Sequence, residues 1–145
     1  MTNPDAPTAT PYDRIGGEAG LRRFTRRFYA LMDTLPEAAA CRAIHPPSLA
    51  GSEEKLFLYL TGWLGGPPLF VSRFGPPMLR RRHLHAPIGG PEIDGWLLCF
   101  HQAWQQTVDD PALTALVVPQ IENLAQHMRN RADAEPGDPA GPAPG

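Results

Sequence analysis

Residues 66–90 read GPPLFVSRFGPPMLRRRHLHAPIGG, and this stretch separates two blocks of helical sequence. Proline and glycine recur so often in it that one short helix at most is expected, over Met78 to His83. A loop of this length inside a compact domain is either functional or wrapped around something. Because it also carries Arg80-Arg81-Arg82 and the pair His83 and His85, we expect the functional site to lie here.

The sequence on both sides of this loop is predicted to be helical. Apolar residues recur there at three- and four-residue steps, the spacing of an amphipathic helix. Ser52 is the expected N-cap of the second helix, and Pro119 is expected to kink the fourth or to begin it anew. No segment alternates as a strand does, so the fold class is all-α. The predicted helices begin at Glu18 (ending at Asp33), at Ser52 (ending at Leu64), after Pro91, and at Asp110-Pro111.

Proline and glycine also mark the limits of the domain. The 145-residue chain has 18 prolines and 14 glycines, which are dense at both ends. We therefore predict a single domain over residues 12–132, long enough to bury a core. A mobile tail is expected over 1–11, and a disordered Pro/Gly/Ala-rich tail over 133–145.

Composition excludes several classes of protein. The N-terminus lacks the basic start and apolar run of a signal peptide, and the longest apolar run, Leu56 to Leu60, is too short to span a membrane. Two cysteines without CxxC spacing do not make a disulfide scaffold, which favours a cytoplasmic location. With a net charge of −2, neither nucleic acid nor membrane is an expected partner.

The residues alone leave two functions open. No phosphate loop, HExxH, nucleophile elbow or paired-cysteine zinc pattern is present. The pair His83 and His85 is a weak metal signal by itself, and aromatic residues on helical stripes are usually core. A small helical interaction or nucleic-acid-binding module, using Arg22 to Arg27 and Arg80 to Arg82, is the alternative to a ligand-binding protein.

A string of short motifs in a fixed order carries more information than any one of them. In this order and at these spacings the chain resembles the group II truncated hemoglobins over about 110 residues. The motifs that carry the resemblance are Tyr12-Asp13-Arg14-Ile15-Gly16-Gly17, Arg27-Phe28-Tyr29-Ala30, Ile44-His45-Pro46, Leu49-Ala50-Gly51-Ser52-Glu53-Glu54-Lys55-Leu56, Gly62-Trp63-Leu64-Gly65-Gly66-Pro67, Pro77-Met78-Leu79-Arg80-Arg81-Arg82-His83 and Trp96-Leu97-Leu98-Cys99.

The resemblance implies a two-over-two helical sandwich around heme b, with the iron bound by His83. His83 ends the family's Pro-x-Leu-Arg-x-Arg-His string and keeps the family's interval to Trp96, whereas His85 fits neither. A neutral imidazole would bind iron through one nitrogen and donate from the other. The role of His85 stays open, and a partly exposed polar residue near the heme edge is the favoured interpretation.

On the opposite side of the heme, the resemblance places Tyr29, His45 and Trp96 around the bound gas. Phenol O–H, imidazole N–H and indole N–H can all donate to a partly negative oxygen. Ser52 matches a gate position and Leu56 an apolar wall, although His45 stands where many relatives have phenylalanine or tyrosine. Arg82 and Arg80 are candidate partners of the heme propionates. The candidate apolar heme contacts are Phe28, Phe57, Leu79, Ile88, Leu97 and Phe100.

Three donors around the ligand imply tight binding and slow release of O2. That favours redox chemistry, detoxification of nitric oxide or sensing over bulk oxygen transport. The reactions suggested are O2-dependent oxidation of nitric oxide and peroxidase-like turnover. Expected partners are O2, CO, NO and peroxide, together with a reductase of unknown kind, and the protein is expected to be a monomer or a homodimer.

Overall fold

Helices dominate residues 9–131, the part of the chain that the computed structural model describes. Within that range no strand is found, which confirms the all-α fold class. The elements are α1 (Pro11–Ile15), α2 (Gly17–Thr34), a 3-10 turn (Pro36–Ala38), α3 (Ala39–Ala43), α4 (Ala50–Trp63), α5 (Leu69–Phe74), α6 (Leu79–Arg82), α7 (Gly90–Thr107) and α8 (Pro111–His127).

The helix ends follow local sequence signals, with two exceptions. At the predicted start of the fourth helix Asp110 caps α8, because its carboxylate accepts the N–H of Leu113 at 3.0 Å. The prediction of Ser52 as an N-cap is wrong, since α4 begins at Ala50 and the Ala50 N–H donates to the Ser48 hydroxyl at 3.3 Å. A new start at Pro119 is also wrong, because α8 runs through this residue as one helix.

The loop at 66–90 contains more helix than its composition predicts. Both α5 and α6 lie in it, where one short helix at most was expected. Prolines are tolerated at the start of a helix, so the pair before Leu69 admits α5, and Gly75 (φ +82°) then turns the chain away. Met78 has φ +40°, a left-handed conformation rare for a residue with a side chain.

The main core lies where α2 crosses α7, with α4 packed on α2 and α8 packed on α7. Phe24 packs edge-on against Phe100 and Trp104, with ring centroids 5.6 and 5.7 Å apart. The approach of α1 to α2 depends on Gly20, because a Cβ there would lie 1.9 Å from the carbonyl oxygen of Ile15. These contacts fix the four long helices that surround the site.

Ion pairs and hydrogen bonds tie the arginine-rich face of α2 to its neighbours. Arg22 pairs with Glu54 of α4 at 2.7 Å, and its guanidinium lies 3.7 Å from the centroid of the Phe57 ring. Arg23 donates to the carbonyl of Thr107, and Arg27 donates to the side chain of Gln106. Part of the basic stripe that suggested a nucleic-acid-binding module therefore braces the helices.

The described residues include only a small part of the tails that were predicted at the two ends of the domain. The N-terminal tail expected over 1–11 lies outside the described residues except at its inner end, where Thr10 caps α1 and Pro11 is the first helical residue. The C-terminal tail expected over 133–145 lies outside them entirely. Among residues 9–131, no helix is both long and apolar enough to cross a membrane.

Candidate functional site

A cavity of about 500 Å³ opens between α4, α7, α8 and the loop at 66–90. This volume is in the range of cofactor and small-molecule sites, which are typically apolar with a few placed polar groups. The wall from α8 is an apolar stripe at helical spacing: Ile121, Leu124, Ala125 and Met128. The cavity therefore suits a large, mostly apolar ligand.

His83 lies on the cavity wall directly after α6, and its ring is oriented by the backbone. Its Nδ1 lies 2.7 Å from the carbonyl oxygen of Leu79. A carbonyl oxygen can only accept, so Nδ1 carries a proton, and in the neutral ring Nε2 then has a free lone pair. This is the arrangement that prepares a neutral histidine to bind a metal.

A single side chain three residues beyond the end of α8, Asn130, holds the loop that carries His83. Its amide nitrogen donates to the carbonyls of Ala86 (2.8 Å) and His83 (3.3 Å), and its amide oxygen accepts the N–H of Ile88 (2.9 Å). These bonds connect residues more than 40 positions apart in sequence. No spacing or motif signalled Asn130, because its role depends on where α8 ends in space.

Across the cavity, Tyr29 and Trp96 offer hydrogen-bond donors. Tyr29 is 6% exposed, and burial raises the pKa of its phenol, which keeps the hydroxyl protonated. Both residues line the cavity, and within residues 9–131 neither the Tyr29 hydroxyl nor the Trp96 indole N–H is engaged by a protein acceptor. Trp96 is held between Phe28 and Phe100, at centroid distances of 5.0 and 5.8 Å.

His45 also lines the cavity, but the structure changes its expected chemistry. Its Nδ1 lies 2.8 Å from the carbonyl oxygen of Cys41, so the N–H of the neutral ring is already donated. Burial lowers the pKa of His45, which favours the neutral form. In this ring state Nε2 is an acceptor, and the donation from His45 to the ligand stays a prediction.

Cationic side chains lie at the cavity wall near its opening. Lys55 and Arg82 both line the cavity and are exposed. Arg82 also donates to the carbonyls of Phe74 and Pro76, at 2.8 and 3.0 Å, which fastens α6 to the end of α5. Lys55 was not among the predicted site residues, although it lies one residue before Leu56, which was.

The structure brings together about half of the apolar and charged contacts predicted from the sequence. Ser52, Leu56, Leu79 and Ile88 line the cavity, and so does His85, which is exposed. Arg80 does not, since it donates to the carbonyl of Arg129 at 3.4 Å. The predicted apolar contacts that do not line the cavity are Phe28, Phe57, Leu97 and Phe100.

Helix geometry explains which of the predicted residues line the cavity, and the heme contacts themselves stay predictions. Adjacent residues on an α-helix point about 100° apart, so the neighbour of a wall residue faces elsewhere. Phe28 precedes Tyr29 and is fully buried in the main core, and Phe57 follows Leu56 and is 2% exposed. Phe100 stacks behind Trp96 one turn on, and Leu97 packs on the small cluster that contains Ile88 and Ile93 without itself lining the cavity.

The cavity and its donor set fit heme. A flat apolar macrocycle with carboxylates at one edge needs apolar walls, an axial ligand and cations at the opening, and each is present here. Within residues 9–131 no group of three or more His, Cys, Asp and Glu could hold a metal ion by itself.

Helices arranged around one cofactor-sized cavity, with a prepared histidine on its wall, define a protein of the globin type. The bacterial-like globin family matches this chain over residues 10–130. The chain belongs to that family and, within it, to the group II truncated hemoglobins. Membership establishes heme-based ligand binding and the two-over-two fold.

Several relatives support this assignment. The structure of the group II two-on-two hemoglobin from Agrobacterium tumefaciens is similar with a TM-score of 0.86, at 55% identity over 89% of this chain and 99% of that one. The cold-adapted truncated hemoglobin of Pseudoalteromonas haloplanktis gives 0.82 at 39% identity, over 85% and 99% of the two chains. The group 2 truncated hemoglobin of Bacillus subtilis is 34% identical over 86% of this chain and 92% of its own length.

Proposed function

We propose that this protein holds heme b on His83 and binds O2, CO and NO there, with high O2 affinity. The observation that carries the proposal is the hydrogen bond from Nδ1 of His83 to the carbonyl of Leu79, which leaves Nε2 of the neutral ring available to iron. When bound, heme supplies an iron atom with an open coordination position. Lys55 and Arg82 are the side chains proposed to face the propionates.

High O2 affinity follows from the two donors that no protein acceptor engages. The Tyr29 hydroxyl and the Trp96 indole N–H line a largely apolar cavity, where a hydrogen bond to a partly charged ligand is stronger than in water. CO carries less charge than O2 when bound, so donors favour O2 over CO. A Bacillus subtilis relative is described as oxygen-avid, which agrees with this proposal.

Slow release of O2 favours a reaction of the bound O2 over its transport. A protein that keeps its O2 delivers little to a tissue or compartment, but it can react that O2 with nitric oxide. NO, O2 and one electron together give nitrate, so this activity needs a reductant. We propose O2-dependent removal of nitric oxide as the activity, with peroxidase-like turnover and sensing as the other uses of the same site. The cytoplasmic location predicted from the sequence remains a prediction.

Replacing either donor is expected to speed the loss of O2. Each of Tyr29→Phe and Trp96→Phe removes one hydrogen bond to the ligand, worth about 1.4 kcal/mol, and should raise the O2 dissociation rate about tenfold. Stopped-flow displacement of O2 by CO measures this rate. His45→Phe should have a smaller effect, because its N–H is donated to Cys41. Unchanged rates in both donor variants would contradict the proposed role of these side chains.

A further inference from the structure

The charges of this chain are unevenly distributed around the cavity. The segment 55–91 carries five of the 13 Lys and Arg and none of the 15 Asp and Glu. The rest of the chain therefore has eight basic residues against fifteen acidic ones. A protein with a net charge of −2 thus has one strongly cationic segment, and two of its cationic side chains, Lys55 and Arg82, line the cavity.

The same segment exposes apolar side chains. Leu69, Val71, Met78 and Leu84 are 37 to 53% exposed, and among the described residues only one other large hydrophobic side chain is as exposed. None of these four lines the cavity. Their exposure therefore does not result from the heme site itself. Exposed apolar residues that are rimmed by charge mark interaction surfaces.

The backbone of this segment is held in a costly conformation. Met78 has φ +40° and ψ +52° and is 53% exposed. A non-glycine residue in the left-handed region costs about 1 kcal/mol or more, and such strain is typical of functional segments. Arg82 holds the conformation by bonding two carbonyls at the end of α5. The backbone that carries these exposed side chains is thus held in one conformation.

We propose that this surface, the docking face (Leu69, Val71, Arg73, Met78, Arg81 and Leu84), binds an acidic electron-transfer protein. The inference rests on the proposed function, in which each nitric oxide converted to nitrate consumes one electron. A partner bound here gives up that electron beside the cavity opening and is itself oxidised by one electron. Complementary charge would steer the encounter, and the apolar side chains would provide the contact.

A protein partner fits the docking face better than an anionic membrane does. A helix that binds a membrane surface lies in it with one continuous apolar face buried. Here α5 has six residues and α6 has four, and they are separated by Gly75-Pro76-Pro77. Glu54 is the acidic residue near Arg73, but it is already paired with Arg22 at 2.7 Å. Arg73 therefore remains available to a partner.

Binding to two acidic one-electron carriers, a flavodoxin and a plant-type ferredoxin, tests the proposal. The heme-loaded full chain is titrated with each at low and at physiological ionic strength. Arg73→Glu combined with Arg81→Glu is expected to weaken binding at least tenfold. The matched control is Arg23→Glu with Arg26→Glu, which makes the same charge change on exposed residues of α2 and should alter binding less than twofold.

The apolar part of the docking face has its own test. Val71→Ser combined with Leu84→Ser should weaken binding several-fold while leaving its dependence on salt unchanged, because no charge is altered. Equal losses of binding in the docking-face and α2 charge variants would overturn the proposal, because net charge alone would then explain the binding. So would failure to bind either carrier, preferential binding to phosphatidylglycerol vesicles or duplex DNA, or self-association that these substitutions abolish.

The proposed heme function is read out separately. Absorption spectra and CO binding of every variant report on the heme site without any partner. Normal spectra together with absent carrier binding would reject the docking face alone. A chain that takes up no heme would reject the proposed function instead.

Discussion

Replacing His83 with alanine is expected to abolish stable heme retention. Its imidazole lies on the cavity wall, and the carbonyl of Leu79 fixes Nδ1, which leaves Nε2 of the neutral ring able to bind iron. Loss of a residue that hydrogen-bonds to a metal ligand typically lowers metal affinity about 10- to 100-fold. Loss of the ligand itself should therefore speed the loss of heme more than about 100-fold. Transfer of heme to an excess of an apo-globin acceptor, followed by absorbance, measures the rate of loss.

The control for this variant is His85→Ala, which removes an exposed imidazole from the same cavity wall. Heme loss from it should stay within about twofold to threefold of the parent, which is far from the effect of removing a ligand. Added imidazole should restore the heme absorption band in His83→Ala by supplying the missing nitrogen. If His85→Ala loses heme and His83→Ala keeps it, the ligand has been assigned to the wrong histidine.

Gly20→Ala is expected to be the most damaging small substitution in the fold. A Cβ at this position would lie 1.9 Å from the carbonyl oxygen of Ile15 and 2.8 Å from its carbon, both backbone atoms at the junction of α1 and α2. Alanine is the better helix former by about 1 kcal/mol, but a backbone clash costs about 3 kcal/mol or more. The net result is a melting temperature lower by about 5 to 10 °C, followed by circular dichroism.

Gly51→Ala is the matched control, because it makes the same chemical change inside a helix without the clash. Gly51 lies in the first turn of α4, and a Cβ there would meet nothing within 4 Å. This variant should be neutral or more stable by up to about 1 kcal/mol. Equal destabilisation of both variants would show that general helix effects, and not the close approach of α1 to α2, decide the result.

Most of the fold could be predicted from the sequence, since helix signals are local. The spacing of apolar residues located the long helices, and Asp110-Pro111 marked the start of α8 through its cap. The loop at 66–90 was harder, because proline and glycine do not separate a structureless loop from one that holds short helices. Ser52 failed as a cap because α4 begins two residues earlier, at Ala50, with no side-chain cap at Leu49.

A motif was enough to predict which residues lie at the site. It did not predict which way a side chain faces or which atom its polar group binds. His83, Tyr29 and Trp96 all reach the cavity, but the chemistry of His45 depends on a carbonyl four residues earlier that no pattern indicates. Leu56 and its neighbour Phe57 also face different ways: Leu56 lines the cavity, and Phe57 is buried in the main core. Lys55 could have been found from the same helix, as an exposed residue one position before a wall residue.

The bonds made by Asn130 connect heme retention to the stability of the last helix. Ends of helices open more often than their centres, with free energies far below that of global unfolding. When the end of α8 frays, the carbonyls of His83 and Ala86 lose their donor and the N–H of Ile88 loses its acceptor. Heme would then escape through brief local openings of the C-terminal turn, in molecules whose core is still folded.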